Sequence, residues 1–159
     1  MKKILVMGIG SHIMMDDAIG LNIVEDLRKK DPSPHVSYLV GETYSDYCLE
    51  EVLDSDYLII IDALLSANKP GEVCTFTLKD VIAERERYIC SMHGIHLFRL
   101  LQQAKHLPAG IIIGIEPYEI NIGFTLSDRL QSSYPSILCK IEGLVANEIR
   151  KLMQQYNPC

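Results

Sequence analysis

The sequence contains no Cys-x-x-Cys pair. Its five cysteines, Cys48, Cys74, Cys90, Cys139 and Cys159, are odd in number and scattered, so neither a zinc ribbon nor a disulfide framework is indicated. Basic runs never exceed a few residues, and the formal net charge is −6 with a pI near 5.3. The electrostatic footprint of a nucleic-acid binder is therefore missing. No apolar run approaches the ~20 residues that span a bilayer, so no membrane association is expected. Met1-Lys2-Lys3 runs straight into a short apolar strand without a cleavage site, and the expected home is the reducing cytoplasm. Gly-Lys-Ser and Gly-Lys-Thr phosphate loops are absent. Gly8-Ile9-Gly10 follows a strand, but position 13 is Ile where a dinucleotide fingerprint needs its third glycine. That loop is expected to bring backbone near a ligand or to place the carboxylates that follow it.

What is present fits one globular domain over residues 1–159, with 48% hydrophobic residues and enough chain for one sizeable core. Tyr57-Leu58-Ile59-Ile60-Ile61 reads as a strand buried on both faces, and it runs into Asp62. An Asp is unfavourable inside a strand and costly to bury alone, so Asp62 is expected where the strand leaves the sheet. Ile4 to Met7 and Ile111 to Ile115 read as further buried strands, His35 to Val40 as a second strand, and Glu72 to Leu78 as an edge strand. Ile19, Ile23, Val24 and Leu27 fall at helical spacing, with Asp16 and Asp17 at the first turn where negative charge is favoured. Asp46 to Leu53 reads as a short helix, Ser91 as the N-cap of another, and Pro135 as a first-turn residue opening a closing helix. Strands alternating with helices imply a three-layer α/β/α fold around a mostly parallel, twisted sheet of about five strands.

Chemistry gathers on few residues. In an open parallel sheet the carboxyl ends of the strands line the ligand crevice, and Asp17 and His93 are read as converging there on Asp62. The competing reading of each is structural. Asp62 can cap a turn, one of Asp16 and Asp17 suffices as a cap, and a lone His is more often a satisfied core residue than a ligand. Two carboxylates and one imidazole would suit a divalent metal of borderline softness, such as Zn²⁺ or Ni²⁺, with coordination positions left open. Cys90 near His93 offers thiolate chemistry as a weaker option.

The order of these pieces resembles the maturation endopeptidases of nickel-iron hydrogenases. The resemblance rests on Gly8-Ile9-Gly10-Ser11 followed by Asp16-Asp17-Ala18-Ile19-Gly20, on Leu58-Ile59-Ile60-Ile61-Asp62-Ala63, on Met92-His93, and on Gly114-Ile115-Glu116-Pro117 before Gly123-Phe124. It implies a twisted sheet between helices and removal of a C-terminal peptide from a nickel-loaded large-subunit precursor. It also implies three nickel-contacting positions, Asp17, Asp62 and His93. No permanently bound cofactor is expected, because the nickel arrives with the substrate; zinc or cadmium could substitute in vitro. Ser11 stands where the family usually has Asn, and Val40-Gly41-Glu42-Thr43 where it has an Asp-Gly-Gly-Thr-like segment. Glu42 could narrow the substrate cleft or supply a further ligand. Two alternatives stay open: a peptidase or metal-dependent hydrolase with another substrate, and a non-catalytic module that binds nickel or the precursor.

Overall fold

The computed structural model describes residues 3–30, 33–42, 45–66, 68–84, 89, 90 and 92–155, with backbone only at 45, 46, 89, 90 and 92–95. Among the described residues the strands are β1 (Ile4–Ile9), β2 (Val36–Gly41), β3 (Tyr57–Leu65), β4 (Val73–Thr77), β5 (Ile89–Cys90) and β6 (Ala109–Ile115). The helices are α1 (Ile19–Lys30), α2 (Ser45–Leu53), α3 (Leu78–Ala83), α4 (Met92–Gln103) and α5 (Asp128–Gln154), with a 3₁₀ turn, Met15–Ala18, ahead of α1. The main sheet runs β2-β1-β3-β6-β4, parallel except for the antiparallel edge strand β4; the short β5 pairs antiparallel with the far end of β3. This is the expected α/β fold with a mixed, mostly parallel five-strand sheet flanked by helices.

The two-residue period of β3 divides the core. Tyr57, Ile59 and Ile61 join Ile4 and Val6 of β1 under α1 and α5, where Ile19, Ile23, Ile137 and Ile141 meet them. Leu58, Ile60 and Leu64 join Leu5, Met7 and Ile112 on the opposite face, under Val52 of α2, Val81 of α3 and Phe98 of α4. Both faces are covered, which is why the central strands read as unbroken apolar runs rather than as alternation.

Two boundaries differ from the sequence reading. β1 does not break at Gly8, which still pairs with Val40 on one side and Ile61 on the other. Pro135 does not open the last helix; α5 begins seven residues earlier, at Asp128, and Pro135 lies inside it. The start signal is Ser127, whose hydroxyl accepts a hydrogen bond from Leu130 N at 3.4 Å. Around the proline, the Ser132 and Ser133 hydroxyls donate to the carbonyls of Asp128 and Arg129 at 2.8 and 3.0 Å, the four-residue back-bonding open to serine within a helix. The Ser91 cap lies outside the described residues, as does Thr43.

Candidate active site

β1 connects through α1 to β2 on one side of it, while β3 lies on its other side. The β1/β3 border is thus the point where strand order reverses, and crevices in open α/β sheets form there, beyond the carboxyl ends. Asp62 stands at that border, but not at the end of its strand. Asp62 and Ala63 still pair with Gly114 and Ile115 of β6, and Leu64 and Leu65 pair with Cys90 and Ile89 of β5. The expectation that the strand stops at Asp62 missed those neighbours. What ends at Asp62 is the ladder to β1, whose last pair is Gly8 with Ile61. Asp62 is 0% exposed and shares the strand face of Leu58, Ile60 and Leu64, the face that α4 covers.

Asp17 reaches this border through close backbone packing. A Cβ on Gly20 would lie 2.2 Å from the carbonyl oxygen of Ile61, so only glycine lets the start of α1 sit directly on β3, one residue before Asp62. The 3₁₀ turn holding Asp17 packs against β3 as well. Gly10, at φ +141°, closes over the turn from β1; a Cβ there would lie 1.9 Å from the Asp17 carbonyl oxygen. The glycine loop therefore places the acids, one of the two roles read for it. Asp17 is 4% exposed.

His93 arrives by a third route. Cys90 pairs with Leu64, two residues beyond Asp62, and α4 starts at Met92, so His93 falls in its first turn. The His93 side chain lies outside the described residues, as does that of Cys90. His96, one turn on, is exposed. Of the other thiols, Cys48 is buried, and burial pushes its pKa above the ordinary value, which disfavours a nucleophilic thiolate there.

The Asp16 carboxylate does not serve as a helix cap. It accepts hydrogen bonds from Tyr118 N (2.9 Å), Glu119 N (2.8 Å), Ser127 N (2.7 Å) and Ser127 Oγ (2.8 Å). Glu116 works similarly on a second loop, where one carboxylate oxygen accepts from Ser66 N (2.9 Å), Ser66 Oγ (3.0 Å) and Asn68 N (3.3 Å). Glu42 reaches across from the end of β2, and its carboxylate accepts from His12 N at 3.3 Å. Sequence reasoning found none of these pairings; the partners of Asp16 are 102 to 111 positions away, and no local pattern announces them. At the rim, Ile122 and Phe124 stand more than 80% exposed on the loop that Asp16 holds.

Known proteins share this fold. The profile of the hydrogenase maturation protease family matches residues 21–144. The chain is 37% identical over 83 residues to the hydrogenase 2 maturation protease of Escherichia coli K12, a match spanning 51% of each protein, so it covers only about half the length of that relative. It is 27% identical over 156 residues to the hydrogenase expression/formation protein HupD of Rhodobacter capsulatus, covering 95% of this chain and 71% of HupD. Among solved structures, the maturating endopeptidase HybD from E. coli superposes with a TM-score of 0.78 at 26% identity, covering 92% of this chain and 93% of HybD. HybD from Thermococcus kodakarensis gives a TM-score of 0.65 at 28% identity, covering 89% of this chain and 98% of its own. With the profile matched over most of its length, the chain belongs to the hydrogenase maturation protease family.

Proposed function

We propose that this chain is an endopeptidase that removes the C-terminal peptide of a nickel-loaded [NiFe] hydrogenase large-subunit precursor. Asp17, Asp62 and His93 hold the substrate's own nickel. The observation that carries the reading is the pair of buried carboxylates, Asp17 and Asp62, drawn to one strand border by the contact of Gly20 with Ile61. Two carboxylates buried at one border favour a cation beside them. Carboxylate oxygens and an imidazole are suitable donors for nickel, and three protein ligands leave coordination positions for the substrate. Nickel held there can polarise the scissile carbonyl or the attacking water, and a site carboxylate can take the water's proton and pass it to the leaving amine.

The chain's part is therefore to grip the metal that the precursor brings and to set the scissile bond against it. No resident cofactor is needed. Among the described residues no helix is long and apolar enough to cross a membrane. The test is a processing assay on nickel-loaded and nickel-free precursor, with the released tail followed by mass spectrometry. Cleavage of the loaded form alone is expected. Cleavage of both forms at equal rates would remove nickel from the mechanism, and cleavage of neither would favour a binding module.

A further inference from the structure

Asp17 sits in a strained setting. Met15, two residues before it, has φ +48°, and among the described residues it is the only non-glycine in the left-handed region. A methionine adopts that conformation only when its surroundings over-determine it. Here they do. Met15 N donates to Gly123 O (3.0 Å), Gly123 N to Ile13 O (3.0 Å) and Asp16 N to Glu119 O (3.2 Å), so the turn and the far loop grip each other through their backbones. Asp16 adds the strongest tie. Its carboxylate is 0% exposed, and the four hydrogen bonds described above come from Tyr118, Glu119 and Ser127, none of them from α1. A helix entry alone would need one cap. A fully buried carboxylate with donors from a segment over a hundred positions away holds two pieces of chain in fixed relation.

We propose that Asp16 is a positioning residue: by latching the 118–127 loop to the 3₁₀ turn it holds Met15 in the left-handed region and so fixes where Asp17 stands against β3. The inference rests on the role given to Asp17 under the proposed function. Gly10 bounds Asp17 on the β1 side, and the latch bounds it on the other. With the latch open, Met15 relaxes to negative φ and the chain direction at Asp17 turns with it. Asp16→Asn opens it, because one end of the amide would present N–H groups to N–H donors.

The experiment combines Asp16→Asn, the double variant Asp16→Asn/Met15→Gly, and Asp54→Asn as a control far from the site. In processing of nickel-loaded precursor, Asp16→Asn should lower kcat about 10- to 100-fold with KM within about threefold, the pattern of a misplaced group rather than lost binding. Glycine adopts positive φ freely, so the double variant should recover most of the lost kcat; a purely structural role for Asp16 would not be rescued this way. The Asp17 amide resonance gives a second readout that needs no substrate: shifted in Asp16→Asn, restored in the double variant. A folded Asp16→Asn protein with wild-type kcat, or a double variant no better than the single one in both readouts, overturns the proposal. If Asp16→Asn does not fold, Ser127→Ala removes one donor instead, and a wild-type kcat for that folded variant overturns it equally. If the wild type cleaves no precursor, the proposed function falls, while the amide resonance still decides the latch.

Discussion

The two ends of the sheet treat their acids in opposite ways. At the amino end, Asp54 pairs with Lys3 at 2.6 Å, both side chains about 70% exposed, and Asp56 accepts from Lys3 N at 2.8 Å. At the carboxyl end, Asp16, Asp17, Asp62 and Glu116 are all buried. Exposed ion pairs are screened and contribute little. Buried carboxylates cost several kcal/mol unless satisfied, so their presence needs a reason. For Asp16 and Glu116 the reason is visible as seven hydrogen bonds to distant loops, four and three respectively. Asp17 and Asp62 are the acids proposed to hold the substrate's metal. One end of the molecule is solvated surface; the other is a site whose walls are themselves held by buried acids.

The largest effect expected on this contrast is at Asp62. Asp62→Asn preserves the size of the side chain and removes its charge, and should lower precursor processing about 10³-fold while the protein stays folded; losing several kcal/mol of charge stabilisation is worth that much. Next is the layer beneath the site. Ile60 is fully buried between Met7 and Ile112 on the face under α4, and Ile60→Ala should cost about 2–5 kcal/mol in urea unfolding. A loss under 1 kcal/mol would mean that this face is loosely packed.

Smaller effects follow away from the crevice. At the amino end of β3, the Tyr57 hydroxyl donates to Glu148 of α5. Burial first, then the hydrogen bond to Glu148, raises its pKa well above the ordinary value of 10.0. A raised pKa in the folded state gives stability that is full below the unfolded pKa and lost as pH rises through the folded one. Tyr57 should therefore contribute to alkaline unfolding from about pH 10 upward. Tyr57→Phe should lose about 1 kcal/mol at neutral pH and show a shallower alkaline decline, read from melting temperature against pH. The smallest effect is expected at Asp54→Asn, which should leave both melting temperature and processing at wild-type values. A large loss there would erase the contrast between the two ends.

How much of this was legible in the sequence depends on how far each interaction reaches along the chain. The buried run from Tyr57 to Ile61 and the spacing of Ile19, Ile23, Val24 and Leu27 are local patterns, and they placed β3 and α1 correctly. Four motif pieces in order pointed to the family that the profile match establishes. Proline favours a first turn, which is why Pro135 reads as a helix start, whereas the cap that opens α5 is Ser127, upstream of it. Asp62 was placed at a strand end because nothing nearby shows that β5 would extend the pairing past it. The latch at Asp16 depends on donors more than a hundred positions away, which no window on the sequence contains.

The most direct measurement is a side-by-side assay of Asp62→Asn and Asp54→Asn on the same nickel-loaded precursor, with melting temperatures recorded for both. The account predicts a folded Asp62→Asn protein that leaves the tail attached and an Asp54→Asn protein that cleaves at the wild-type rate. Equal cleavage by the two folded variants would contradict it, because the buried acid at the strand border would then do no more for the reaction than the exposed one at the other end of the sheet.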